Sequence, residues 1–287
     1  MPHVPAVLSI AGSDSGGGAG IQADLKAFAR CGVHGMTAIT AITAQSTVGV
    51  EAIHQVPSEL IVSQVRAVAE DIGVDAVKIG MLGTAETVFA VRDALEYVGD
   101  APVVIDPVMV AESGAVLLDD AARQAIVDEL LPLAAVITPN LPEARVLAGS
   151  DAGGAEAGGA GAEELARAVH GLGPRAIVVT GGHREEATDV FFDGEEIHLI
   201  PGERHADGAA HGSGCTHSSA LAAHLALGYG PLEAARAARE IAGEAVRNGL
   251  RQIGRGAGPV DVFDLTGAAT NRTFGASDRR SAARRVT

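Results

Sequence analysis

Ala6-Val7-Leu8-Ser9-Ile10-Ala11-Gly12-Ser13-Asp14-Ser15-Gly16-Gly17-Gly18-Ala19-Gly20, followed by the amphipathic stretch Ile21 to Cys31, reads as a buried strand, a glycine turn and a helix. The alternation then recurs. Ala6 to Ala11, Met36 to Ala41, Ala76 to Ile79, Val103 to Ile105, Ala135 to Thr138 and Ala176 to Thr180 are apolar nearly end to end, as parallel strands covered on both faces are. Amphipathic stretches lie between them, at Ile21 to Cys31, Pro57 to Asp71, Ala85 to Tyr97, Asp119 to Leu130, Pro142 to Leu147 and Ala162 to Leu172. This βαβα order predicts a three-layer α/β/α sandwich around a mostly parallel central sheet, with right-handed crossovers. Thr188 to Phe192 and Glu196 to Ile200 read as a hairpin, and helices follow at Cys215 to Leu227 and Pro231 to Gly249. Residues 1–265 are expected to form one domain. Gly149 to Gly161 reads as a mobile surface loop, and 266–287 as a disordered polar tail with two Arg-Arg pairs.

The net charge of −15 argues against a nucleic-acid or anionic-membrane partner, because wide phosphate surfaces are bound by net positive charge. An anionic substrate therefore needs a local positive site. Two widely spaced cysteines, Cys31 and Cys215, form neither a disulfide framework nor a metal cluster, so a cytoplasmic location is expected. The apolar run from the N-terminus breaks at Gly12, too early for a signal peptide or a membrane span.

Ala210-His211-Gly212-Ser213-Gly214-Cys215-Thr216-His217-Ser218-Ser219 carries the clearest chemistry. A glycine-broken turn running into a helix gathers main-chain N–H groups and the positive end of the helix around one small volume, which suits a phosphate or a developing oxyanion. Cys215 stands at its mouth, where that field is expected to lower a thiol pKa. The Gly12–Gly20 turn offers a second close approach of backbone to ligand. His211 is the histidine to watch, in a supporting role.

Other candidates sit at strand ends, where open α/β sheets bind ligands. Asp106 in Val104-Ile105-Asp106-Pro107 reads as a metal- or phosphate-site acid, or as an Asp opening a turn before proline. Asn140 and Glu143 read as oxygen groups for a magnesium–nucleotide complex, or as a helix capping box. Gln45 lies after strand two; its amide can pair with a heterocycle or be solvated. Met81 can pack on a flat ring or in the core. Thr180-Gly181-Gly182-His183 ends a strand in a glycine turn. No zinc motif, G-x-S-x-G elbow or G-x-x-x-x-G-K-[ST] loop occurs, and no spaced dinucleotide fingerprint supports an oxidoreductase.

Taken in order, Ala11 to Ala27, Ile39 to Thr47, Lys78 to Gly83, Asp106 to Met109, Thr138 to Glu143 and His211 to Thr216 resemble the ribokinase-like superfamily, and within it the hydroxymethylpyrimidine/phosphomethylpyrimidine kinases of thiamine biosynthesis. The resemblance spans about Ala6 to Phe263. It implies a phosphotransferase that uses ATP and magnesium to convert 4-amino-5-hydroxymethyl-2-methylpyrimidine to its monophosphate and then its diphosphate, usually as a homodimer. It places pyrimidine contacts at Gly12, Ala19, Asp24, Gln45, Met81 and Val108. Asp106 and Glu143 fall around magnesium, with Asn140, Thr180, Gly182 and Ser213 on the nucleotide. Gly212, Gly214 and Cys215 form the anion hole, with Cys215 as base. Pyridoxal kinases of the cysteine-containing type are the alternative. Thr180 stands where the family commonly has lysine, so the second phosphorylation is expected to suffer more than the first. Ser15 stands where proline is usual.

Overall fold

The computed structural model describes residues 3–111, 114, 117–149, 161–181, 187–205 and 208–267. Gly182, most of the Gly149–Gly161 loop and residues 268–287 lie outside the described residues. Nine strands form one sheet in the order β3-β2-β1-β4-β5-β6-β7-β8-β9. They are β1 Ala6–Asp14, β2 His34–Ser46, β3 Gly49–Gln55, β4 Ala76–Ile79, β5 Val103–Ile105, β6 Val136–Ile137, β7 Ile177–Val179, β8 Asp189–Phe192 and β9 Ile197–Ile200. The six strands from β2 through β7 in that order run parallel, and β3, β8 and β9 are antiparallel additions at the two edges.

The helices are α1 Gly20–Cys31, α2 Ser58–Asp71, α3 Ala85–Ala94, α4 Asp120–Ala125, α5 Leu141–Leu147, α6 Ala162–His170, α7 Ser213–Ala226 and α8 Pro231–Arg247. Strand side chains alternate between two cores, as a two-residue period requires. Leu8, Ile10, Val77, Ile79 and Ile105 pack with Ile61 and Val65 of α2, Val88 and Val91 of α3, and Leu165 of α6. Val7, Ala76, Val104, Val136 and Val178 pack instead against Phe28 of α1, Ala220 to Ala223 of α7, and Ala234, Ala235 and Ala238 of α8. The three layers are thus α1/α7/α8, sheet, and α2 to α6.

One element departs from expectation. The segment after Ala41 is not a loop: β2 continues to Ser46 and turns back into β3, so Gln45 stands on a hairpin arm. This arm is half-solvated on both faces and carries no apolar period. Among the described residues no helix is long and apolar enough to cross a membrane.

Candidate active site

The strand faces turned toward α1 and α7 change character near their C-terminal ends. Two residues beyond buried Val7, Ala76 and Val104 stand Ser9, Lys78 and Asp106, on the same face by the strand period. Polar groups therefore gather where an open sheet presents its strand tips.

Lys78 is fully buried, and its Nζ donates to both carboxylate oxygens of Asp24 at 2.9 and 3.1 Å. Asp24 also accepts Ser9 Oγ at 2.6 Å and Ser219 Oγ at 2.8 Å, joining β1, β4, α1 and α7. Burial alone would push the ammonium pKa down. Asp24 first, then Cys215 and Asp106, raise it above the ordinary lysine value, so Lys78 stays charged. Asp106 Oδ2 lies 3.9 Å from the same Nζ and accepts Ser218 Oγ at 3.0 Å.

α7 begins at Gly212, its N-cap, with no side-chain cap and no acidic residue in the first turn. Ser213 N–H is taken by Ala210 O at 2.9 Å, and Gly214 and Cys215 of the first turn line the pocket at the positive helix end. Gly212 has φ 85°, and a Cβ there would run into the Gly18 carbonyl. Glycine is required by both conformation and space, because the two glycine loops touch at this point. The first loop is held from within. Asp14 accepts Gly16 N–H at 2.7 Å, Gly18 N–H at 3.1 Å and Ala19 N–H at 2.9 Å, and its Oδ2 lies 3.1 Å from His211 Nε2. Burial works against ionisation of Asp14, but His211 and these amides hold its pKa below the ordinary value. The Asp14–His211 contact fixes the first glycine loop to the second. Ser15 has a purpose too: its Oγ accepts Gln45 N–H and donates to Gln45 O, clamping the loop to the hairpin arm.

Glu143 and Asn140 form the capping box: Asn140 Oδ1 accepts Glu143 N–H, and Glu143 Oε2 accepts Asn140 N–H, both at 2.9 Å. The cap does not use up the carboxyl. Glu143 is buried beside Asp106, and desolvation, then that neighbouring charge, raise its pKa to about 8. Desolvation likewise raises Asp106. Two buried carboxyls of this kind fit a hard, partly hydrated cation such as magnesium, which keeps waters and phosphate oxygens as its remaining ligands. Among the described residues no group of three His, Cys, Asp or Glu side chains could cage a metal alone.

The raised Glu143 pKa gives a stability prediction. The folded state binds this proton more tightly than the unfolded chain, so ionised Glu143 costs stability from about pH 4.5 upward, levelling above 8. Glu143→Gln preserves a capping side chain and should stabilise the unliganded protein by a few kcal/mol at pH 9 and not at pH 4.5. Urea unfolding at the two pH values checks it; equal effects at both contradict it.

Cys215 corrects an expectation. Burial pushes its thiol pKa up to about 12; Lys78 and a Gly20 N–H oppose this, while Asp106 and Asp24 add to it. The resting residue is a thiol, because desolvation outweighs the helix field. Asp24 is the second correction: it has no exposed surface, does not line the cavity and serves as the counter-ion beneath it.

The other predicted positions that are described line one cavity of about 420 Å³. Gly12, Ala19, Gln45, Met81 and Val108 line it, with the Met81 methyl against Gly12. Asp106, Glu143 and Asn140 line the same cavity, as do Thr180, Ser213, Gly214 and Cys215. Lys78, Asp14, Asp189, His217 and Arg239 also line it, and the sequence reading singled out none of them for function. A lysine inside the otherwise apolar Ala76–Ile79 run was the available signal, since buried lysines are paired.

The sequence pattern of the phosphomethylpyrimidine kinase family matches residues 14–261. A hydroxymethylpyrimidine/phosphomethylpyrimidine kinase from Rhizobium meliloti is 49% identical over 262 residues, covering 89% of this chain and 96% of that protein. Among solved structures, a pyridoxal kinase of Bacillus subtilis with ADP superposes at TM-score 0.82 and 36% identity, covering 92% of this chain and 99% of that one. A phosphomethylpyrimidine kinase from Clostridium difficile superposes at TM-score 0.72 and 38% identity, covering 84% and 99%.

Proposed function

The chain belongs to the phosphomethylpyrimidine kinase family, and from that premise we propose that it transfers the γ-phosphoryl group of ATP, with magnesium, to 4-amino-5-hydroxymethyl-2-methylpyrimidine and then to the monophosphate. The observation that carries the reading is the uncapped first turn of α7, with Cys215 in it, in one cavity with Lys78 and Asp106. In-line phosphoryl transfer asks for positioning and charge stabilisation more than for covalent chemistry. The Gly12–Ala19 and Gln45 end takes the pyrimidine, the Gln45 amide reading a donor–acceptor edge and Met81 lying against the ring. The α7 amides, with Gly212 opening the turn, receive the charge that develops on the migrating phosphoryl group.

Magnesium, held by Asp106 and Glu143, would neutralise phosphate charge. A cation there would also offset the Asp106 charge, one of the two that push the Cys215 thiol up. The thiolate form of Cys215, which Lys78 favours, takes the proton of the substrate hydroxymethyl group as its oxygen attacks, and becomes the thiol. Thr180 brings no charge, so the second transfer, onto an already anionic acceptor, is the slower one.

A second reading follows from the pyridoxal kinase likeness, since pyridoxal offers a hydroxymethyl group on a substituted N-heterocycle. Purified protein with ATP and magnesium, given each acceptor in turn, separates them. kcat/KM is expected to favour the aminopyrimidine, with monophosphate preceding diphosphate by mass; a preference for pyridoxal overturns the assignment. The compartment we propose is the cytoplasm. The assembly is a homodimer; sedimentation velocity reads it.

A further inference from the structure

His217 lies two residues past Cys215 on α7 and is 4% exposed. It lines the cavity, yet neither ring nitrogen has a hydrogen-bond partner among the described residues. An imidazole taken out of water without partners is costly and calls for an explanation. Helical side chains lean toward the N-terminus of their helix, so the ring leans toward the first turn of α7, where Ser213 and Gly214 line the same cavity. Behind the ring, Asp189 Oδ2 stands 3.4 Å from Nε2 and is itself without a hydrogen bond; Arg239 Nε is 3.9 Å from that oxygen. Asp189 is anchored through Oδ1, which accepts Gly181 N–H at 2.8 Å, so the carboxylate cannot swing away. Asp106 contributes a further negative charge near the imidazole. Among the described residues Nδ1 has no hydrogen-bond partner.

We propose that His217 is a positioning residue for the phosphate donor: Nε2–H rests on Asp189, and Nδ1–H donates to a non-bridging oxygen of the nucleotide's phosphate chain at the start of α7. This rests on the phosphotransfer reading of the cavity. It gives the cavity a hydrogen-bond donor for phosphate in addition to uncharged Thr180. No bond is made or broken by the ring.

Calorimetric binding of ATP and of adenosine to the full chain in magnesium buffer tests the assignment. His217→Leu should weaken ATP about tenfold, the loss of one charge-assisted hydrogen bond, and leave adenosine unchanged. The melting temperature should hold or rise, because an unpaired buried polar group is removed. His217→Asn, whose amide nitrogen falls near Nδ1, should recover most of the ATP affinity, and His217→Gln should not. In turnover, KM for ATP rises more than kcat falls. Unchanged ATP affinity in His217→Leu, equal losses for ATP and adenosine, or rescue by Gln and not Asn each overturn the proposal, as does a wild-type chain that binds no ATP. A wild-type chain that binds ATP but leaves the pyrimidine unphosphorylated sinks the acceptor assignment, while the binding comparison still reads His217.

Discussion

Cys215→Ala is expected to lower kcat by about 10²–10⁴-fold, the usual contribution of one well-placed proton acceptor, with the fold intact. Cys215 belongs to none of the hydrophobic clusters, so circular dichroism and melting temperature should change little. The pH profile adds a sign. Because burial holds the resting thiol near 12, the fraction able to accept a proton grows about tenfold per pH unit through the neutral range. Wild-type kcat/KM should therefore climb with pH beyond the limb that Glu143 contributes below about 8, and the alanine variant should lose the upper part of that rise. Cys215→Ser keeps size and hydrogen bonding but ionises far less readily, so it should track alanine. A serine variant with wild-type kcat would mean that the side chain orients the acceptor without taking its proton.

How far the sequence reaches follows from which interactions are local. β4 and β5 fall on the bounds their apolar runs imply, and the α5 capping box is visible as Asn140 and Glu143 three apart. β3 left no such trace: Gly49–Gln55 has no buried residue, so no period of two separates a buried face from a wet one. At the site, the turn before α7 is legible because glycine chemistry is local. The pairings that set its electrostatics are not. Asp24 and Lys78 are 54 positions apart and Asp14 and His211 are 197 apart, contacts only the folded topology creates. The Cys215 thiol shows the same limit: the helix field can be read from the turn, but the burial that outweighs it depends on every layer above.

The larger structural effect is expected at Lys78. Lys78→Met should destabilise the protein by about 3–5 kcal/mol, because it leaves Asp24 as an uncompensated charge with no exposed surface. Ser9 and Ser219 still donate to it, but two hydroxyl dipoles do not replace an ammonium. Lys78→Arg should also fail, since a planar guanidinium does not fit a site built around one compact Nζ. Adding Asp24→Asn to Lys78→Met removes the orphaned charge while keeping an oxygen for the two serines, so most of the lost stability should return in urea unfolding. Activity should not return with it. Lys78 is the principal charge opposing the rise of the Cys215 pKa, and without it the thiol is a still weaker proton acceptor. A refolded double variant that remains slow separates the two duties of this lysine, holding four elements together and biasing the sulfur above them. One that recovers wild-type kcat would show that the ion pair serves the fold alone.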